Sequence, residues 1–173
     1  ALNIASTLAF LKEKTIWLGF DLRKVVRRDT RMQGKKIGLA DFLTGEASID
    51  EIIGNSAQPH LDLITQGTLP ESPSELLQSS KMDELFSYLQ EHYTYIIIDT
   101  PPAGMIADAF HLLRFSDITY FVIRNNSSKL KMVESVLKNL ERRNANNLGI
   151  LVNDINTQDT YGYGYGYGYG YGY

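Results

Sequence analysis

YIIIDTPP, residues 95–102, is the stretch on which the fold turns. Tyr95-Ile96-Ile97-Ile98 runs without a break into a carboxylate, Asp99, and then into Thr100-Pro101-Pro102. A run that is apolar throughout reads as a strand covered on both faces, which is the habit of parallel strands. An acid at the carboxyl end of such a strand is where a nucleotide-bound Mg²⁺ is held, directly or through water. The two prolines stiffen the loop that must turn across the phosphates. The plainer alternative is a strand end followed by a proline turn.

Working outward, the same alternation of apolar runs and amphipathic stretches fills the chain. TIWLGF (15–20), LDLITQG (61–67), ITYFVIR (118–124) and LGILVND (148–154) read as further strands. ALNIASTLAFLKEK (1–14) has near-helical apolar spacing, and MIADAFHLLRFS (105–116) and SKLKMVESVLKNLERRN (128–144) also read as helices. GLADFLTGEASIDEIIG (38–54) predicts two short helices, the second capped by Ser48 or Asp50. SPSELLQSSKMDELFSYLQEHY (72–93) predicts a short helix and then a longer amphipathic one. Strand–helix alternation gives an α/β fold: a doubly wound, mainly parallel sheet with helices on both faces and a disordered C-terminal tail. Residues 1–156 form the expected domain and 157–173 the tail.

The bulk numbers narrow the function. The chain has 173 residues, 43% of them hydrophobic, enough for one domain with a sizeable core. A net charge of −3 gives no basic field for nucleic acid. The absence of cysteine excludes disulfides and thiolate metal sites. His60, His92 and His111 stand far apart, without the spacing of a zinc site. No apolar run is long enough to span a bilayer, and no signal-peptide pattern opens the chain.

In doubly wound sheets the chemistry sits beyond the carboxyl ends of the strands. There the sequence places Asp21, Asp99, Arg124 and Asn153. Asp21 is either a metal-site residue or a solvated residue after a strand. Arg23 either steadies phosphate charge or an adjacent subunit, or is a surface arginine. Asn153 carries an amide that can both donate and accept, as an adenine edge requires, or it is an asparagine in a turn. Arg124 is expected to pair at the sheet edge, and Asp108 and Asp117 to cap a helix and a strand. Arg23, Lys24, Arg27, Arg28, Arg31, Lys35 and Lys36 form a basic stretch. It reads first as a solvated loop, otherwise as a surface for anionic lipid or a phosphorylated segment.

IWLGFDLRK (16–24), YIIIDTPPAGMIADA (95–109) and ITYFVIRNNSSK (118–129), in this order, resemble the bacterial tyrosine kinases of the deviant-Walker P-loop class. The resemblance runs from residue 1 to about 156 and includes a tyrosine-rich terminus. It implies that YIIIDTPP is the Walker B element, with Asp99 and Asp21 as catalytic residues holding Mg²⁺, and with ATP/ADP as the nucleotide. It implies Asn153 at the adenine and Arg23 near phosphate. ALNIAS resembles the helix after the phosphate loop, which places that loop just before Ala1; G-x-x-x-x-G-K-[ST] does not occur in the sequence. The family's second motif carries Asp-x-Asp, and here the first of the two is Gly19. An acid restored at 19 is therefore expected to speed phosphoryl transfer.

The resemblance further implies autophosphorylation of Tyr161, Tyr163, Tyr165, Tyr167, Tyr169, Tyr171 and Tyr173, the seven rings of YGYGYGYGYGYGY. Alternating glycine lets that segment enter an active site. The implied partners are a ring-like homo-oligomer, a polysaccharide co-polymerase membrane domain and a cognate tyrosine phosphatase. The implied location is the cytoplasmic face of the bacterial inner membrane. Two other readings stand beside it: a partition or cell-division type ATPase switch, and a weakly catalytic regulatory module of a co-polymerase.

Overall fold

A computed structural model of the chain describes residues 1–23, 37–102, 107–125, 127–145 and 147–155. The tail tyrosines and basic residues 24–36 lie outside the described residues, as does the side chain of Asp108. The described chain divides into two compact units, beginning at Ala1 and at Asp117.

In the first unit, α1 (Leu2–Phe10) leads into β1 (Thr15–Gly19). Next come α2 (Leu39–Thr44), α3 (Ile49–Ile52), β2 (Gly54–Asn55) and β3 (Leu61–Ile64). The unit closes with α4 (Pro73–Leu76), α5 (Lys81–His92), β4 (Tyr95–Asp99) and a 3₁₀ helix, Ala107–Phe115. The sheet order is β2-β3-β1-β4. β1 pairs in parallel with both β3 and β4, while the two-residue β2 pairs antiparallel with β3 at the edge.

β1 is buried along its whole length, and its period of two divides its side chains between two cores. Ile16, Leu18 and Phe20 join Phe42, Leu85, Phe86 and Leu89 in the larger core. Trp17 faces the other way, with Ala5 and Ala9 of α1 and Leu61 and Leu63 of β3. β4 repeats the division, with Ile96 and Ile98 on the larger core and Ile97 on the smaller. Both faces of the sheet are therefore covered, as the apolar runs require.

The helices form where the sequence provides them with ends. Ser48 caps α3, its backbone N–H donating to Glu51 Oε2 at 2.8 Å. Met82, Leu85, Phe86 and Leu89 line the buried side of α5 at helical spacing. Within that core Phe86 stacks on Phe115 at 4.1 Å and on Phe20 at 6.2 Å between ring centroids.

α2 is tied to the end of β3 by a buried carboxylate. Asp41 accepts from the N–H of Gly38 at 2.6 Å and from the N–H of Thr68 at 3.2 Å. The backbones around it touch. A Cβ on Gly38 would lie 2.3 Å from the Thr65 carbonyl oxygen, and Gly67 is held at φ +73°. Burial pushes the Asp41 carboxyl up, but the hydrogen bonds from Thr68 and Gly38 outweigh it and hold the group below its ordinary value.

In the second unit, β5 (Thr119–Arg124) and β6 (Leu148–Asn153) pair in parallel, connected through α6 (Leu130–Arg142). This is one β–α–β crossover. Arg124 Nε donates to Asp154 at 2.7 Å, the expected pairing at the strand ends. The side-chain amide of Asn147 caps the carbonyl of Asp117 at 2.9 Å.

The predicted strands and helices are present, with two differences. The stretch after the prolines folds as a 3₁₀ helix rather than an α-helix. β2 carries no apolar signal, because it is two residues long and held only by backbone pairing.

Candidate functional site

The parallel register of β1 and β4 sets Gly19 beside Asp99. The pairing continues one residue further, where the Phe20 N–H donates to the Asp99 carbonyl at 2.8 Å. The two strands thus end together, and the residues after them, Asp21 and Thr100, leave from the same sheet edge. Asp21 and Asp99, named on sequence grounds alone, are brought close enough for their charges to interact.

Asp99 is half-buried, and desolvation raises its carboxyl above the ordinary carboxylate range. The indole of Trp17 opposes that rise, and the Asp21 carboxylate adds to it. Two carboxylates that repel each other at one strand end suit a divalent cation. Mg²⁺ needs only one or two protein carboxylates, with water and phosphate completing its shell, so the donor set fits. Among the described residues no cluster of three or more His, Cys, Asp or Glu forms a self-sufficient metal cage.

Asp21 also orders the turn that follows β1. Its Oδ1 accepts from the Arg23 N–H at 3.3 Å. The Arg23 guanidinium extends to Ser74 Oγ of the short helix α4 at 3.0 Å. Arg23 is thus tied to a neighbouring element. Asn153 ends β6 in the second unit, exposed, with its carbonyl accepting from the Asn125 N–H at 2.9 Å. His60 and His92 are exposed, and His92 stacks on Tyr88 at 4.1 Å. Tyr88 in turn donates to Asp50, which gives that corner a structural role.

Sequence reasoning passed over Trp17. Its indole lies across Gly19: a Cβ built there would meet Cη2 at 2.9 Å and Cζ3 at 3.3 Å. The ring is 6% exposed, and its Nε1–H is buried without a hydrogen-bond partner. The signal was present in the period of the strand. Residues 17 and 19 share a face, so a missing side chain at 19 leaves room for a large one at 17.

No protein-family model matches the chain. The tyrosine-protein kinase CpsD of Streptococcus agalactiae serotype III is 32% identical over 162 residues, covering 92% of this chain and 70% of that protein. The tyrosine-protein kinase etk of Escherichia coli K12 is 29% identical over 153 residues, 88% of this chain but 21% of that longer protein. The chain likewise spans 20% of a Ralstonia solanacearum relative, EpsB. Among solved structures, the kinase domain of Escherichia coli ETK superposes with a TM-score of 0.84 at 28% identity, over 96% of this chain and 65% of that one. The VpsO kinase domain gives 0.81 at 33% identity, over 90% and 76%. The Aquifex aeolicus cell division protein MinD shares the fold at 18% identity, with a TM-score of 0.65 over 92% and 64%. The fold is that of the P-loop ATPases, and the chain belongs to the bacterial tyrosine-protein kinases.

Proposed function

We propose that this chain is the catalytic domain of an ATP-dependent protein tyrosine kinase, with Tyr161 to Tyr173 as its acceptors. The observation that carries the reading is the pairing of Gly19 with Asp99, which brings two predicted site carboxylates, Asp21 and Asp99, to one sheet edge.

In the reaction, a tyrosine oxygen forms a bond to the γ-phosphorus of ATP as the bond from that phosphorus to the β-bridging oxygen breaks, and ADP leaves with the electron pair. Mg²⁺, when bound, offsets the charge on the β- and γ-phosphate oxygens. Asp99 and Asp21 would hold it, Asp99 from the rigid end of β4 and Asp21 from the turn after β1. With Gly19 in place of an acid, no carboxylate at that position takes the hydroxyl proton. The transition state is loose and asks little of a base, so that loss slows the transfer rather than forbidding it. Arg23 and Asn153 remain the proposed phosphate- and adenine-side residues.

The wider context follows the family. The domain would act on the cytoplasmic face of the bacterial inner membrane with a polysaccharide co-polymerase, phosphorylating the tail of a neighbouring copy in a ring. A phosphatase would reverse it. Seven phosphotyrosines would add roughly −10 to −14 charges to one tail, enough to loosen such an assembly. The test is to incubate the full-length encoded chain with labelled ATP and Mg²⁺ and to map the phosphate. Label in residues 161–173, lost in Asp99→Asn, is expected. Nucleotide-dependent dimerisation without any phosphotyrosine would replace the kinase by an ATPase switch.

A further inference from the structure

Trp17 is the sole tryptophan of the chain, and its place is costly. A buried indole usually finds a partner for its N–H. A buried donor left without one is destabilising, because it has given up its hydrogen bond to water. The small core around it, Ala5, Ala9, Leu61 and Leu63, would accept a leucine or phenylalanine with no polar atom to satisfy. The ring is nevertheless seated where its N–H stays unpartnered, and it can lie there only because residue 19 has no Cβ. Trp17 and Gly19 are thus a matched pair.

The direction of the ring gives the pair a use. Trp17 and Gly19 share one face of β1, and their register partners Ile97 and Asp99 share the same face of β4. The indole extends along β1 from position 17 over position 19, towards the strand end where Asp99 stands. Its N–H is buried without a hydrogen-bond partner, on the face of the sheet that Gly19 and Asp99 share.

We propose that Trp17 is a positioning residue of this site: its indole N–H, laid over Gly19, hydrogen-bonds the Asp99 carboxylate when the nucleotide and its metal ion bind, and fixes the orientation in which that carboxylate serves them. The inference rests on the reading of Asp99 given above. Partners of this kind, which hold a metal ligand without touching the metal, are worth about 10- to 100-fold in metal affinity. A carboxylate position beside Asp99 has in effect been exchanged for a neutral donor to it.

The experiment compares full-length wild type, Trp17→Phe and Asp99→Asn by calorimetry with ADP, in excess Mg²⁺ and in EDTA. Trp17→Phe keeps an aromatic ring in the small core but removes the donor together with part of the indole's bulk. The expected result is ADP affinity in EDTA close to wild type and a gain on adding Mg²⁺ that is about 10- to 100-fold smaller. The unmodified protein supplies a second measurement that needs no variant. One tryptophan gives one indole N–H resonance, and on saturation with Mg²⁺ and ADP it should move downfield as the hydrogen bond forms. An unmoved resonance, or a Trp17→Phe protein with the full Mg²⁺ gain, overturns the positioning role while leaving Asp99 in place. A wild type whose ADP affinity ignores Mg²⁺ and Asp99→Asn alike overturns both readings.

Discussion

Restoring the acid at position 19 is the sharpest perturbation of this site, and the structure makes its first effect a loss of stability. The new Cβ would stand 2.9 Å from Cη2 of Trp17, where ordinary contacts begin near 3.4 Å. The ring is walled by Ala5, Ala9, Leu61 and Leu63, so overpacking of about 1–3 kcal/mol is expected. The carboxylate would also stand in register with Asp99 on a strand about 4.8 Å away. Two unit charges at that spacing repel by about 3.5 kcal/mol at an effective dielectric constant of about 20. Gly19→Asp should therefore lose about 4.5–6.5 kcal/mol at neutral pH, a large part of a typical domain's stability. Gly19→Asn, of the same shape, should lose only the packing part. Urea unfolding followed by circular dichroism separates the two, and the difference should shrink with millimolar Mg²⁺. Trp17→Leu removes the collision, so the double variant should be more stable than the single losses predict. If Gly19→Asp and Gly19→Asn both unfold within about 0.5 kcal/mol of wild type, the indole does not occupy that space and the matched-pair argument fails.

Other outcomes follow from the same contacts. Asp99→Asn should abolish the Mg²⁺ dependence of nucleotide binding while stabilising the ligand-free protein at pH 7. The folded carboxyl is raised above its ordinary 3.8, so wild-type stability falls as pH climbs from there through the folded value, and the amide variant should lack that slope. Asp41 has the opposite sign: its lowered carboxyl stabilises above pH 3.8 and ceases to as pH falls through the folded value. Asp41→Asn should cost about 2 kcal/mol near neutrality, with the gap closing in acid, as read by thermal melts across pH. Single Tyr→Phe changes between Tyr161 and Tyr173 should barely alter phosphate incorporation, whereas replacing all seven should remove most of it. Mass spectrometry of each variant after incubation with Mg²⁺ and ATP checks this.

What could be read in advance, and what could not, divides along a physical line. β1 and β4 were legible because strands that pack against a core on each face carry a continuous apolar run, and Asp21 and Asp99 because a carboxylate ending such a run stands out. α3 and α5 were legible from a cap and from helical spacing. The two-residue β2 was not, since backbone pairing with β3 alone defines it. Nor was the Asp41 knot, where an acid in a short helix meets an amide 27 residues away; no local pattern announces that contact. The reading of Gly19 lies between these cases. Taken alone, a glycine where an aspartate is expected reads as a lesion. Taken with residue 17, on the same face of the same strand, it reads as an exchange, because the indole fills the volume left free at 19 and brings a donor where the motif carries an acceptor. That conclusion needs a distance, 2.9 Å to a ring atom, and a direction, along β1 towards Asp99, neither of which one-dimensional spacing contains. A departure from a motif is therefore best judged by what fills the vacated space: solvent or an aliphatic side chain would mark a lost function, whereas a donor set against the surviving carboxylate marks a site rebuilt around one acid fewer.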